Sequence, residues 1–178
     1  MGEGNDEEVT GEGGAIPGGP SVPKDETRLE QTVRATTGRE LYRTAIGVRQ
    51  HELTVDEPAQ LGGGDTGPSP LELVCAALAS CTTITLRMYA DRKAWPLEEI
   101  EARVAHARLR VERDGQASDV DRFTLTVGLK GELDEAQRDR LMQIAGRCPV
   151  HRLLVTGSVV EIREALSVDN GSGGGQAG

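Results

Sequence analysis

The chain has 178 residues, 37% of them hydrophobic but only 2% aromatic, with a net charge of −9. That length suits one domain with tails, and a core filled by Leu, Val, Ile and Ala is modest enough to gain from oligomer formation. No basic face argues for nucleic acid, no apolar run approaches the roughly 20 residues of a membrane span, and no basic-then-apolar signal peptide opens the chain.

Residues 1–27 are Gly-rich and acidic, and their composition predicts a disordered tail. Residues 1–30 hold eight acids against two bases, which is −6 of the −9 and leaves the remainder at only −3. The folded domain is expected over 28–166. From Arg28 the pattern turns strand-like, with Val33 and Ala35 alternating with polar neighbours. Thr37 to Glu40 reads as a hairpin turn, Tyr42 to Val48 as the return, and Gln50 to Val55 as a third strand ended by Asp56-Glu57-Pro58. The Gly62–Gly67 run lacks the ending of a phosphate loop and reads as a flexible linker.

The next stretch organises the domain. Ser69 is placed to cap a helix, Pro70 suits its first position, and Glu72 completes a capping box. From Leu73 to Leu86 there is no charged residue. Apolar or small residues fall on every face, which predicts a helix buried on most sides. Asp91-Arg92-Lys93, then Pro96, mark its end.

Beyond it, Ile100 to Glu112 looks extended and Asp114-Gly115 marks a turn. Phe123, Leu125, Val127 and Leu129 alternate with polar residues as in a half-buried antiparallel strand. Asp134 and Gln137 form a second capping box. Leu141, Ile144, Ala145 and Cys148 share one helical stripe, and Pro149 is read as the break. Ser158 to Arg163 is expected as a last short strand, and 167–178 as a disordered Gly/Ser tail. The order βββ–α–ββ–α–β predicts an α+β fold with helices packed on antiparallel sheet.

Three cysteines without a secretory signal favour a reducing, cytoplasmic setting and thiol chemistry over a disulfide scaffold. Cys81 and Cys148 lie on apolar faces of two different helices. Each alone reads as a small buried hydrophobe; two on different buried helix faces weaken that reading, and the chain brings them together if the helices are neighbours. Cys75 stands six residues before Cys81, about 120° round the helix and roughly 9 Å along it, too far for a disulfide. Cys81 is also too deep in its own helix to feel that helix's N-terminal charge, so a lowered pKa needs a cation from elsewhere. Arg39, Arg43, Arg49, Arg147 and Arg152 are the candidates. Cys148-Pro149-Val150-His151 has a C-x-x-H spacing, but with Cys81 it offers only three metal ligands. His106 reads as a packed or surface histidine. Ser69 and Ser80 lack a nucleophile elbow.

GDTGPSPLELVCAALASCTTITLRMYADRKAWPL and, later, GRCPVHRLL resemble the two motif regions of the OsmC/organic hydroperoxide resistance family. The resemblance implies an intertwined homodimer, with antiparallel sheets around a central buried helix and active sites at the subunit interface. It implies a thiol peroxidase of the oxidative stress response that reduces organic hydroperoxides to alcohols. Such chemistry needs no metal, haem or flavin, and a dithiol or thiol protein serves as reductant. Cys81 then matches the peroxidatic cysteine and Cys148 the resolving one. Arg39 matches the family's first-hairpin arginine. The family's glutamate directly after the motif proline is replaced here by Leu71, with Glu72 following. That departure favours a competing expectation, an OsmC-like binding or structural dimer with slow cysteines.

Overall fold

A computed structural model describes residues 32–113, 116–158, 160 and 162. The predicted tails, 1–27 and 167–178, and the Asp114-Gly115 turn lie outside the described residues. The account below concerns the unit Thr27–Gly157.

Three short strands open it: β1 (Arg34–Thr37), β2 (Thr44–Val48) and β3 (His51–Val55). They form an antiparallel meander, with Arg34 opposite Gly47 and Thr44 opposite Val55. Of these strands only Val55 is buried; Leu53 is half exposed.

The Gly62–Gly67 segment departs from the sequence expectation of a flexible linker. It is tied down by the buried Asp56. One carboxylate oxygen accepts the Glu57 N–H at 2.8 Å. The other accepts the Gly64 and Thr66 N–H groups and the Thr66 hydroxyl, at 3.1, 3.2 and 2.8 Å. Two glycines are there because the backbone comes too close for a side chain. A Cβ on Gly63 would meet the Glu57 carbonyl at 1.9 Å, and one on Gly67 the Thr54 carbonyl at 2.3 Å. The glycines mark tight packing around a buried anion.

Helix α1 (Pro70–Arg92) begins as the sequence predicts, with Ser69 and Glu72 in a reciprocal capping box and Pro70 in the first turn. A long hairpin follows, β4 (Leu97–Arg113) against β5 (Gln116–Gly131), pairing Leu97 with Gly131 and Arg113 with Gln116. Helix α2 (Glu135–Ala145) carries the predicted Asp134/Gln137 capping box. Leu86 and Ala90 of α1 and Leu141, Ile144 and Ala145 of α2 make the core with Leu97 and Leu133, and Val127 and Leu129 pack against it. Arg138 fastens α2 to the hairpin by donating to the carbonyls of Leu129, Gly131 and Leu133. Arg87 fastens α1 to the start of β4 through the Leu97 and Glu98 carbonyls.

Within one chain helix α1 is buried along one stripe, Leu78, Thr82, Leu86 and Ala90, and Ile84 and Met88 are 59% and 60% exposed. Three expectations need correction. The 23-residue α1 holds an 18-residue window of mean hydropathy 1.4, which makes it long and apolar enough to cross a membrane by length and composition alone. The uncharged stretch ends at Leu86, whereas the helix continues past Arg87; it packs on β4 and α2. Finally, Pro149 does not end a helix but starts one, α3 (Pro149–Thr156). Proline at the first helical position lacks only an N–H that would have no partner there. Ser158, Val160 and Ile162, the described residues of the predicted last strand, carry no strand; the others lie outside the described residues.

Candidate active site

Helix α2 stops at Ala145, with Gly146 as its C-cap. Cys148 therefore leaves the stripe on which the sequence places it and becomes the N-cap of α3. Its backbone is extended, and its Sγ accepts the His151 N–H at 3.2 Å. An N-cap side chain normally offers oxygen to this N–H; here sulfur takes that place. Cys148 is fully buried, and Thr82 Oγ1 of α1 lies 3.6 Å from its Sγ.

Thr82 follows Cys81 directly, so the contact that seats Cys148 also brings the two cysteines together. The Cys148 thiol and the Val150 main chain of α3 both act on the Cys81 thiol, which places Cys81 beside the start of α3. Cys148 Sγ thus sits on the His151 N–H at the first turn of α3, and Cys81 lies near the neighbouring Val150 of the same turn. First-turn N–H groups have no partner within their own helix and carry its partial positive charge. Cys81 lies too deep in its own helix for that effect, but the start of a different helix reaches it.

Several influences act on Cys81. Burial pushes its thiol above the usual cysteine range, since a thiolate is poorly solvated there. The Val150 N–H opposes this, the Cys148 thiol adds to it, and the Thr85 hydroxyl pulls weakly downward. The outcome is a raised pKa, and none of the largest influences on it is a cation.

Arg39 lies exposed in the turn between β1 and β2, lining a shallow hollow with Thr36, Arg43 and Thr54. Arg43 pairs across the surface with Glu40 at 3.7 Å. Within one chain the structure thus joins Cys81 to Cys148 and does not join Arg39 to them. All three cysteines are free thiols. Leu71 is 44% exposed. Glu72 is engaged in the capping box, accepting the Ser69 N–H at 2.7 Å. His106 sits on the hairpin, 2.9 Å from Asp121 and stacked at a tilt on Phe123. Among the described residues no group of three or more His, Cys, Asp or Glu is placed to hold a metal ion.

Sequence reasoning missed α3, and with it the roles of Thr82, Val150 and His151 around the sulfurs. The available signal was Pro149 read as a first-turn residue, followed by Val150, Leu153 and Leu154 at helical spacing.

The OsmC-like protein family matches residues 62–163, more than half of the chain. The chain belongs to the OsmC-like family. Solved structures agree on the fold. An OsmC-like protein from Mycoplasma pneumoniae aligns with a TM-score of 0.59 at 19% identity, covering 71% of this chain and 88% of the other. An organic hydroperoxide resistance protein OsmC from Legionella pneumophila aligns at 0.55 and 19%, over 72% and 91%. Another organic hydroperoxide resistance protein, from Elizabethkingia anophelis, aligns at 0.55 and 20%, over 72% and 89%. No curated protein sequence matches. For this OsmC-like chain the match covers α1, the hairpin, α2 and α3, and so both cysteines of the pair.

Proposed function

We propose that this OsmC-like protein is a thiol-dependent peroxidase that reduces organic hydroperoxides to alcohols. The observation that carries the reading is the contact between two free thiols, Cys81 and Cys148, at the first turn of α3. The Cys81 thiolate attacks the distal peroxide oxygen; the S–O bond forms as the O–O bond breaks, leaving a sulfenic acid and the alcohol. Cys148 condenses with the sulfenic acid, forming the disulfide and releasing water. A dithiol or thiol-protein reductant then restores both thiols by exchange. The names of the structural relatives support hydroperoxide as the substrate class.

The working form in this reading is a homodimer that buries more than about 2,000 Å² in total, as obligate dimers do. The open side of α1, with Ile84 and Met88 exposed, supports it. A second copy also supplies a route for Arg39 to reach Cys81, which one chain alone does not. Three free thiols suit a reducing, cytoplasmic setting.

The test is consumption of an alkyl hydroperoxide with dithiothreitol as reductant. Wild type turns over and Cys81→Ser does not. If the wild type consumes nothing, the competing reading takes over, a binding dimer with slow cysteines. The raised pKa of Cys81 and Leu71 in the family's glutamate position favour that alternative.

A further inference from the structure

Three cations gather around one aromatic ring where α1 ends. Tyr89, Arg92 and the C-cap Lys93 close that helix, and Arg140 of α2 stands beside them; the four line a hollow of about 440 Å³. That volume is ordinary for a small-molecule site. The Arg140 Nε donates to the Tyr89 hydroxyl at 3.1 Å, and one terminal nitrogen donates to Gln143 at 2.8 Å, so its guanidinium is held from two sides. The Arg92 guanidinium also lies against the Tyr89 ring, its carbon 5.9 Å from the ring centre, the same distance as that of Arg140. Arg92 Nε donates to the Met88 carbonyl at 3.2 Å. The Arg140 hydrogen bond, and then the charges of Arg140, Lys93 and Arg92, hold the Tyr89 hydroxyl below its usual range against the opposing effect of burial. All three charges thus converge on one oxygen.

No acid answers these charges among the described residues. No carboxylate lines the hollow, and none pairs with Arg92, Lys93 or Arg140. Asp91, next to Arg92 in sequence, pairs with Arg87 at 3.8 Å instead. The positions one helical turn from Arg140 are Ala136, Gln137, Gln143 and Ile144, so no acid shares its face of α2. Cations in a last turn complement the helix's C-terminal charge, which accounts for Arg92 and Lys93. It does not account for Arg140, half-buried in the middle of α2 and held at the same ring. Like charges held this close repel one another unless an anion joins them. We propose that this hollow binds a phosphate group, as the free ion or as a monoester. Three cations suit a charge of about −2 better than the single charge of a carboxylate. Guanidinium forks match phosphate oxygens, and the Tyr89 hydroxyl keeps its own hydrogen to donate to one. The site joins α1 to α2 and uses neither cysteine, so it stands whether or not the peroxidase reading holds.

Trp95 supplies the readout. It is the only tryptophan in the chain, and it meets the Tyr89 ring edge-on with the ring centres 5.5 Å apart. Titrating the full chain with inorganic phosphate should give a saturable change in Trp95 fluorescence. Ionic strength is held constant with sodium chloride, which removes general screening from the comparison. Arg140→Gln should weaken binding by about tenfold or more, as loss of a charge-assisted hydrogen bond does. Arg140 also bridges two helices, so a second variant guards against misfolding: Lys93 is exposed at a helix end, and Lys93→Gln should weaken binding several-fold. Arg103→Gln, on the hairpin and outside the hollow, should bind as wild type does. Glycerol 3-phosphate separates the two sources. Tighter binding of the ester assigns the site to a monoester; equal or tighter binding of the free ion assigns it to phosphate itself. An unsaturable response to both, acetate bound as tightly as phosphate, or folded Arg140→Gln and Lys93→Gln proteins that bind as wild type does overturns the proposal.

Discussion

The β4–β5 hairpin and the β1–β3 meander are both antiparallel, yet only the hairpin has a hydrophobic partner within its own chain. The hairpin is covered by α1 and α2, and Leu97, Val127 and Leu129 join the core there. The meander buries little besides Val55, and it leaves Leu53 and, beside it, Leu41 and Tyr42 half exposed or more. The cysteines belong to the first half and Arg39 to the second. A three-stranded sheet with no covered face gains little from burial. The contrast teaches that the cysteine half of the proposed centre is complete in a single chain, whereas the arginine half depends on the second copy of the proposed dimer.

The sharpest way to break this division is at the sulfurs. Cys81→Ser should reduce hydroperoxide consumption to the uncatalysed background. Cys148→Ser should allow one oxidation and then stop, leaving a sulfenic acid that a sulfenate-selective probe labels. Labelling absent after peroxide treatment of Cys148→Ser would remove the resolving role from Cys148.

Next in size is Arg39. If it stabilises the Cys81 thiolate across the dimer, Arg39→Ala should cost on the order of 10²-fold in rate, as loss of one charge-stabilising group in a site does. Cys81 has a thiol raised by burial within one chain. Its alkylation in a dissociated chain should therefore need higher pH than in the dimer. Mixing Arg39→Ala, slowed on the order of 10²-fold, with the inactive Cys81→Ser asks where the arginine comes from. Recovered activity places Arg39 and Cys81 in different copies; none recovered places both in one.

Met88→Glu acts on the open face of α1 and should have a smaller effect on the fold itself, since Met88 is 60% exposed in one chain. In the dimer that carboxylate would be buried without a partner. Sedimentation should show monomer, with the melting temperature of the single domain largely kept. A Met88→Glu protein that still sediments as a dimer would move the interface away from α1.

How far the sequence is legible follows the same division. Both capping boxes and the alternation of Phe123, Leu125, Val127 and Leu129 are local signals, and the structure keeps them. Cys81 and Cys148 are legible as a pair because each sits among apolar residues. The geometry joining them is not, because it depends on α3, whose first residue, Pro149, equally well signals a break. The Gly62–Gly67 loop misleads for a related reason. Glycine serves flexibility and close approach alike, and only the buried Asp56 decides between them. The all-round apolar character of α1 is read correctly as a need for burial, but a sequence does not say whose residues meet that need.

Asp56 offers the finest test, because it sits at the joint between the meander and α1. Its main chain donates to the Pro68 carbonyl at 3.2 Å, just before the α1 cap. The Thr66 hydroxyl, followed by the main-chain N–H groups of Thr66, Glu57 and Gly64, holds its carboxyl below the usual carboxylate range, against the opposing effect of burial. A depressed folded pKa contributes stability that is present above the unfolded value, near ~3.9, and is lost as pH falls through the lower folded value. Asp56→Asn should remove that contribution, since either orientation of the amide turns an NH₂ group towards an N–H donor. Its melting temperature should drop by several degrees at neutral pH, and the gap to wild type should close in acid. Because the joint also sets where the meander stands relative to α1, the same variant should slow any step that depends on Arg39. Melting curves that run parallel from neutral pH into acid would show that the carboxylate does not hold the loop. A slowed rate with an unchanged melting temperature would instead place Asp56 in the chemistry rather than in the joint.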